Sequence, residues 1–368
     1  MLSFRTWVTA TLISAGVWGC GSSLLEENAE AAGGASASAF VRGRVVDVSG
    51  KALEGLEVVS DSLRVRTDSK GRFELAVPAG SEVQVAVESD VYSRAAFAVE
   101  ASEDDPVQVE VAVKERKAML LARAELGGRV EAADGFAVEL PADALRDADD
   151  RPVRGEVRVK YALVKTSPDV VAVPGSMKRQ DRKSLEGFGL AEVRFYQGDQ
   201  RLRVDKAFKL DLPLHPEHRL SDGEEVDVYS MAKGDVRWQA NARARVSGNK
   251  VVVRTEHDAW LGAARELPAD SCVKGRLSLG AADKKAARKT TVRAARARGL
   301  SLVQAETSDD GSFCLPVTPD DDWNVSTYYD DGDKSYGLAV SVNSGEAAGM
   351  CGGDGCKSVG EVAIAPLP

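Results

Sequence analysis

The chain carries the same message twice. Val41-Arg42-Gly43-Arg44-Val45 returns as Val273-Lys274-Gly275-Arg276-Leu277, and Thr67-Asp68-Ser69-Lys70-Gly71-Arg72-Phe73 returns as Thr307-Ser308-Asp309-Asp310-Gly311-Ser312-Phe313. In the first copy Phe73, Leu75 and Val77 fall on one face at period two, and so do Val83, Val85 and Val87, and Val107, Val109, Val111 and Val113. Strict alternation marks half-buried strands. The glycine closing each Asp/Gly turn supplies the positive φ that a tight hairpin needs. About seven short strands with turns every 8–12 residues predict a β-sandwich. On the same register Val292 corresponds to Val58, which places Arg293 toward solvent. The second copy is the longer, by a segment around Ala297-Arg298-Gly299.

Between the copies lies a different β-unit. Its strand candidates are Phe136 to Leu140, Val157 to Tyr161, Ala191 to Tyr196, Phe208 to Leu214, Val226 to Tyr229 and Val251 to Val253, with Trp238 and Trp260 nearby. The fold class is therefore all-β, with three sandwich-type domains in tandem at 40–117, 118–268 and 269–368.

The first copy resembles the carboxypeptidase regulatory-like domain, a transthyretin-like sandwich. The resemblance runs through Gly43, the Ser49-Gly50-Lys51 turn, Thr67-Asp68, Gly71-Arg72-Phe73 and Pro78-Ala79-Gly80. It implies a non-catalytic module. The order of motifs from Leu140-Pro141-Ala142-Asp143-Ala144-Leu145 through Pro152-Val153-Arg154-Gly155 to Cys272-Val273-Lys274-Gly275 resembles the central part of the cartilage intermediate layer protein family and its bacterial relatives, with a flavour of ZU5-type β-domains.

The N-terminus speaks of export. Arg5 precedes an apolar run from Trp7 to Val17, followed by Gly19-Cys20, and the run is short for a bilayer span. Val17-Trp18-Gly19-Cys20 resembles the bacterial lipobox. That resemblance implies a signal peptide at 1–19, a diacylglycerol on Cys20 and a tether over 20–39. Gly21 in place of aspartate implies the outer membrane, with the lipid anchor making the membrane a partner. The alternative is an ordinary secretory peptide cut near Ala35-Ser36-Ala37.

A net charge of −9 argues against a nucleic-acid partner, and 43 % hydrophobic content suffices for packed cores. Only 3 histidines occur, too few for a multi-histidine metal enzyme. Besides Cys20, the cysteines are Cys272, Cys314, Cys351 and Cys356. In an exported chain an even set reads as disulfides, and four cysteines allow three pairings. Cys272–Cys314 with Cys351–Cys356 is preferred, because the first two open strands that can neighbour one another. Zinc is disfavoured, since four-cysteine sites show closer Cys-x-x-Cys spacing.

One basic run stands out: Lys284, Lys285, Arg288, Lys289, Arg293, Arg296 and Arg298. It reads either as an anion-binding patch or as a solvated strand and hairpin. Asp320-Asp321-Asp322 and Asp330-Asp331-Gly332-Asp333 are turn-like and match no EF-hand spacing. Pro216 prevents His215 and His218 from sharing a regular helix. His257 beside Asp258 has no nucleophile motif to complete a triad. Phosphate-cradling glycine motifs are absent, and no cofactor is implied.

The sequence therefore predicts a non-enzymatic, lipid-anchored cell-envelope protein that acts as a structural, adhesion or binding module for protein or glycan. The alternatives are an accessory subunit of a polysaccharide-processing or surface system, and a glycan hydrolase using two carboxylates.

Overall fold

The computed structural model describes residues 38–280, 285–346 and 349–367. Cys20, the signal segment, the tether up to residue 37 and Lys284 lie outside these residues; Ser38 and Ala39, expected in the tether, open the first strand.

The described chain is nearly all β, arranged as tandem sandwich-type units. In the first, strand Ser38–Asp47 pairs antiparallel with Arg72–Pro78 and parallel with Val107–Val113. This sheet covers a second one, Leu63–Arg66, Glu57–Ser60, Glu82–Glu88 and Ala95–Glu100. The period-two residues point inward as their alternation requires: Phe73, Leu75, Val77, Val83, Val85, Val107 and Val109 join one core.

The repeated residues do the same work in both copies. Strand Ser271–Leu279 pairs antiparallel with Ser312–Val317 and parallel with Lys357–Pro366, as its counterpart does in the first unit. Gly43 lies opposite Phe73, and Gly275 opposite Phe313. A Cβ on Gly43 would stand 2.3 Å from the Val109 carbonyl oxygen and 3.1 Å from the Phe73 ring. On Gly275 it would meet Val359 at 2.5 Å and Phe313 at 3.0 Å. The glycine is needed because the parallel neighbour strand, and behind it the phenylalanine ring across the ladder, leave no room for a Cβ. Thr67 and Thr307 are both buried, and each donates its hydroxyl to a carbonyl, of Leu53 at 2.7 Å and of Ala287 at 2.6 Å. Each also accepts a backbone N–H, from Leu56 and Thr290 respectively.

The central unit is one continuous antiparallel sheet that runs from Lys117–Leu121 through Val157–Val164, Leu185–Gln197, Trp260–Glu266 and Glu225–Met231 to Gly128–Glu131. Its own core gathers Phe136, Tyr161, Val193, Phe195, Phe208 and Leu210. Phe136 stacks on Tyr161 at 4.5 Å between centroids.

The sandwiches are not beads on a string; the described residues fall within one compact unit. Strand Leu185–Gln197 explains why. It is buried along nearly its whole length, on both faces. Ala191, Val193 and Phe195 face the central core, whereas Leu190 packs with Trp238, Trp260 and Met177 against Ala295, Leu300 and Leu302 of the second copy. Glu192 and Arg194 point out of the central core and are nonetheless 1 % and 5 % exposed.

Candidate functional site

A small set of charges is hidden between the units. Glu192 accepts Arg116 Nε at 2.9 Å and Nη2 at 3.0 Å, and Arg194 reaches it at 2.8 Å. The backbone N–H of Arg94 points at the same carboxylate, and the Arg94 guanidinium goes on to Glu88 at 2.9 Å. Trp260 Nε1 donates to the Arg94 carbonyl at 2.8 Å. This cluster locks the first sandwich to the central sheet.

A side-chain amide locks the two copies together. Gln108 Nε2 donates to the Asp330 carbonyl at 3.1 Å, and the Asp330 N–H donates back to Gln108 Oε1 at 3.1 Å. The Gln108 N–H donates to the Lys289 carbonyl at 2.7 Å. Beside it Glu110 takes Arg44 at 2.6 Å and Arg293 at 2.7 Å.

The basic run is thereby dispersed. Val292 is buried as the repeat register requires, but Arg293 is only 8 % exposed rather than solvent-facing, because the first sandwich covers that outer face and supplies Glu110. Arg288 reaches Asp105 at 3.6 Å, and Lys289 reaches Glu306 at 3.3 Å. Arg296 is held by Glu186 and, at 2.5 Å, by Asp321. Lys285 and Arg298 are exposed, with no ion pair among the described residues. The run is not assembled into one patch.

The cysteines pair as Cys272–Cys356 and Cys314–Cys351, not as Cys272–Cys314 and Cys351–Cys356. The strand ladder gives the reason. Cys272 lies opposite Pro316, and Cys314 opposite Lys274, so these two are out of register. The parallel pairing of Val273 with Lys357 instead sets Cys356 beside Cys272.

A cavity of about 490 Å³ opens between the central sheet and the second copy. Its floor is the joint where the Gly187 N–H donates to the Leu300 carbonyl at 2.8 Å. Glu186 bridges Arg265, at 2.7 Å, and Arg296. Arg265 also lies over the Phe188 ring, 5.3 Å from its centroid, which occupies the one aromatic face there. The turn before Asp322 contributes Asp320 and Asp321, and the hairpin tip contributes Arg298.

His215 and His218 line this cavity too, although no spacing or motif links them to Arg298 or Asp321. His215 is buried, and its Nδ1 accepts the Glu217 N–H at 3.2 Å. The proton therefore sits on Nε2, which donates toward Ser167 Oγ at 3.3 Å. Ser167 Oγ also accepts the Gly299 N–H at 2.9 Å. A histidine so arranged cannot take the serine proton, so the pair is no nucleophile and base. Burial pushes the His215 pKa below its usual value; His218 and Arg296 act in the same direction and Glu217 opposes them. His218 likewise accepts a backbone N–H, from Leu220, at its Nδ1.

Other sequence candidates are structural. Asp258 pairs with Arg201 at 2.9 Å, and the His257 N–H donates to Thr255 Oγ1 at 3.0 Å, so no triad forms. Asp330 accepts the Tyr328 and Ser335 hydroxyls at 2.9 and 3.0 Å and the Gly332 N–H at 2.8 Å. Asp331 Oδ1 accepts the N–H groups of Asp333 and Lys334. These carboxylates close turns rather than converge.

No protein-family model matches the chain, and no curated protein matches it in sequence. Among solved structures it is similar to the BcpA major pilin subunit of Bacillus cereus, at 12 % identity over 89 % of this chain and 99 % of that one, with a TM-score of 0.18. It is similar to the full-length SpaD major pilin of Corynebacterium diphtheriae, at 11 % identity over 90 % and 98 %, with a TM-score of 0.20. It is also similar to the Bacillus anthracis TIE protein, at 10 % identity over 89 % of this chain and 51 % of that one, with a TM-score of 0.20. At such scores the likeness carries no functional argument. No helix among the described residues is long and apolar enough to cross a membrane.

Proposed function

We propose that this chain is a non-enzymatic binding module of the cell envelope, lipid-anchored through Cys20, whose polar cleft takes a glycan. One observation carries this reading: the cleft is walled by donors and acceptors of nearly matched number, and its inner ionic groups are tied to one another. Glu186 and Asp321 are committed to Arg296, and His215 to Ser167. Arg219, Arg298, Glu217 and Asp320 stand exposed at the rim, offering both donors and acceptors. Sugar hydroxyls donate and accept alike, which suits such a wall better than a simple anion does. The volume falls within the roughly 300–1,000 Å³ usual for small-ligand sites. Rigid joints to both sandwiches hold the walls in place, so binding costs little ordering. The regulatory-like resemblance of the first unit is part of this reading.

A glycan array probed with the full chain tests it. Retention on a subset of glycans, weakened at least about tenfold in Arg298→Ala and Asp320→Ala, is expected. Retention that is unchanged in both variants, or absent throughout, overturns the cleft as the site. Turnover of glycosides that is lost when one acidic pair is replaced moves the chain to the hydrolases.

A further inference from the structure

The four cysteines of the second copy make two disulfides that touch. Cys314 Sγ lies 3.9 Å from Cys356 Sγ, although these two are not bonded to each other. The sulfur atoms of Cys272, Cys314 and Cys356 all lie within 4.8 Å of one another, and Cys351 is bonded to Cys314. Three sulfurs thus share one small volume and the fourth is bonded to one of them; Cys272 comes from the Ser271–Leu279 strand, Cys314 from the Ser312–Val317 strand, and Cys351 and Cys356 from the loop before Lys357–Pro366. Zinc bound by four thiolates at about 2.3 Å separates neighbouring sulfurs by about 3.8 Å, the edge of its tetrahedron. The Cys314–Cys356 distance already matches that edge. Sequence spacing disfavours zinc because local Cys-x-x-Cys knuckles are missing; the fold assembles the set from two strands and one loop instead.

We propose that in its reduced state this cluster is a single soft-metal site, holding one zinc ion through Cys272, Cys314, Cys351 and Cys356, and that the two disulfides are its oxidised form. Each disulfide takes two electrons and two protons from one dithiol, which closes to its own disulfide. Cys351 is exposed, so the Cys314–Cys351 bond opens first. The released Cys314 thiolate then attacks Cys356, forms a Cys314–Cys356 bond and expels Cys272 as a thiolate. A second dithiol reduces that bond. Zinc displaces the remaining thiol protons as it binds. Four thiolates on Zn²⁺ carry a net charge of about −2. Two exposed lysines flank that charge: Lys274, opposite Cys314, and Lys357, next to Cys356.

The test uses the full chain with Cys20→Ser, reduced with a phosphine and titrated with Co²⁺ as a spectroscopic stand-in and then with Zn²⁺. One equivalent of cobalt should bind with the intense d–d bands of a tetrahedral thiolate site, and zinc should displace it. Cys351→Ser should weaken cobalt binding by at least about tenfold. Should the reduced chain lose the fold of this unit, zinc must restore its circular dichroism where a chelator does not. No tetrahedral spectrum in the folded reduced chain, an unchanged affinity in Cys351→Ser, or unfolding that zinc fails to reverse each overturns the proposal.

Discussion

Glu192→Gln is the sharpest perturbation of the joint between the first sandwich and the central sheet. The change keeps the side chain's shape and removes its charge, leaving Arg94, Arg116 and Arg194 around Glu88 alone. Both Arg116 and Glu192 have side chains 1 % exposed, so water cannot screen the loss. Breaking a buried pair on one side costs about 3–5 kcal/mol. Unfolding entropy of about 2.1 cal/mol/K per residue over about 320 residues gives about 0.7 kcal/mol/K, so Tm should fall by about 4–7 °C if the units melt together. Differential scanning calorimetry reads both quantities: a single shifted peak means the joint serves the whole unit, and a split peak means the first sandwich has come free. The control is Glu192→Met with Arg116→Met and Arg194→Met, which should recover most of the loss, because apolar replacement of an entire buried ionic set is near neutral. A drop below about 1 °C in Glu192→Gln, or the same drop when both arginines are already methionine, would refute the argument.

Two further outcomes follow from the repeat and from the cleft. Gly43→Ala and Gly275→Ala should each destabilise the chain by about 1–3 kcal/mol in urea titrations, since a new Cβ meets Val109 or Val359 closer than packing allows; a neutral result at both sites would separate the glycines from the phenylalanines. His215 has a folded pKa below its unfolded value of about 6.5. Its neutral form therefore contributes stability that is fully present above that value and is lost as pH falls through the folded pKa. The stability gap between wild type and His215→Gln should narrow between pH 7 and about pH 5; a gap that widens on acidification reverses the sign and removes the burial argument.

Much of the fold is legible residue by residue. Phe73, Leu75, Val77 and the valine runs announce their faces by alternation, and the repeated glycine and threonine announce a shared topology. What the pattern hides is burial on the second face. Glu192 and Arg194 alternate with Ala191, Val193 and Phe195 as solvent-facing charges do, and Arg293 follows Val292 in the same way. Alternation reports which side of a strand faces its own core, and it is silent on what another unit lays over the other side. The excess of arginine over lysine at Arg94, Arg116, Arg194, Arg293 and Arg296 is the one hint, since planar guanidinium groups suit desolvated pairs better than ammonium groups do. The cleft is hidden for a related reason, because its walls come from segments more than a hundred residues apart. The disulfides were legible as a set and not as pairs, since the parallel strand that brings Cys356 to Cys272 closes the chain from its far end.

Strand Ser38–Asp47 lies between two partners, antiparallel to one and parallel to the other. The chain enters the folded unit at this strand. A pull from the N-terminal side runs along the strand, so its ladder bonds on both flanks carry the load together, in shear, instead of opening one after another like a zip. Resistance to tension is governed by the rate of unfolding rather than by its equilibrium. Tension applied at that end therefore meets two ladders at once rather than a single edge.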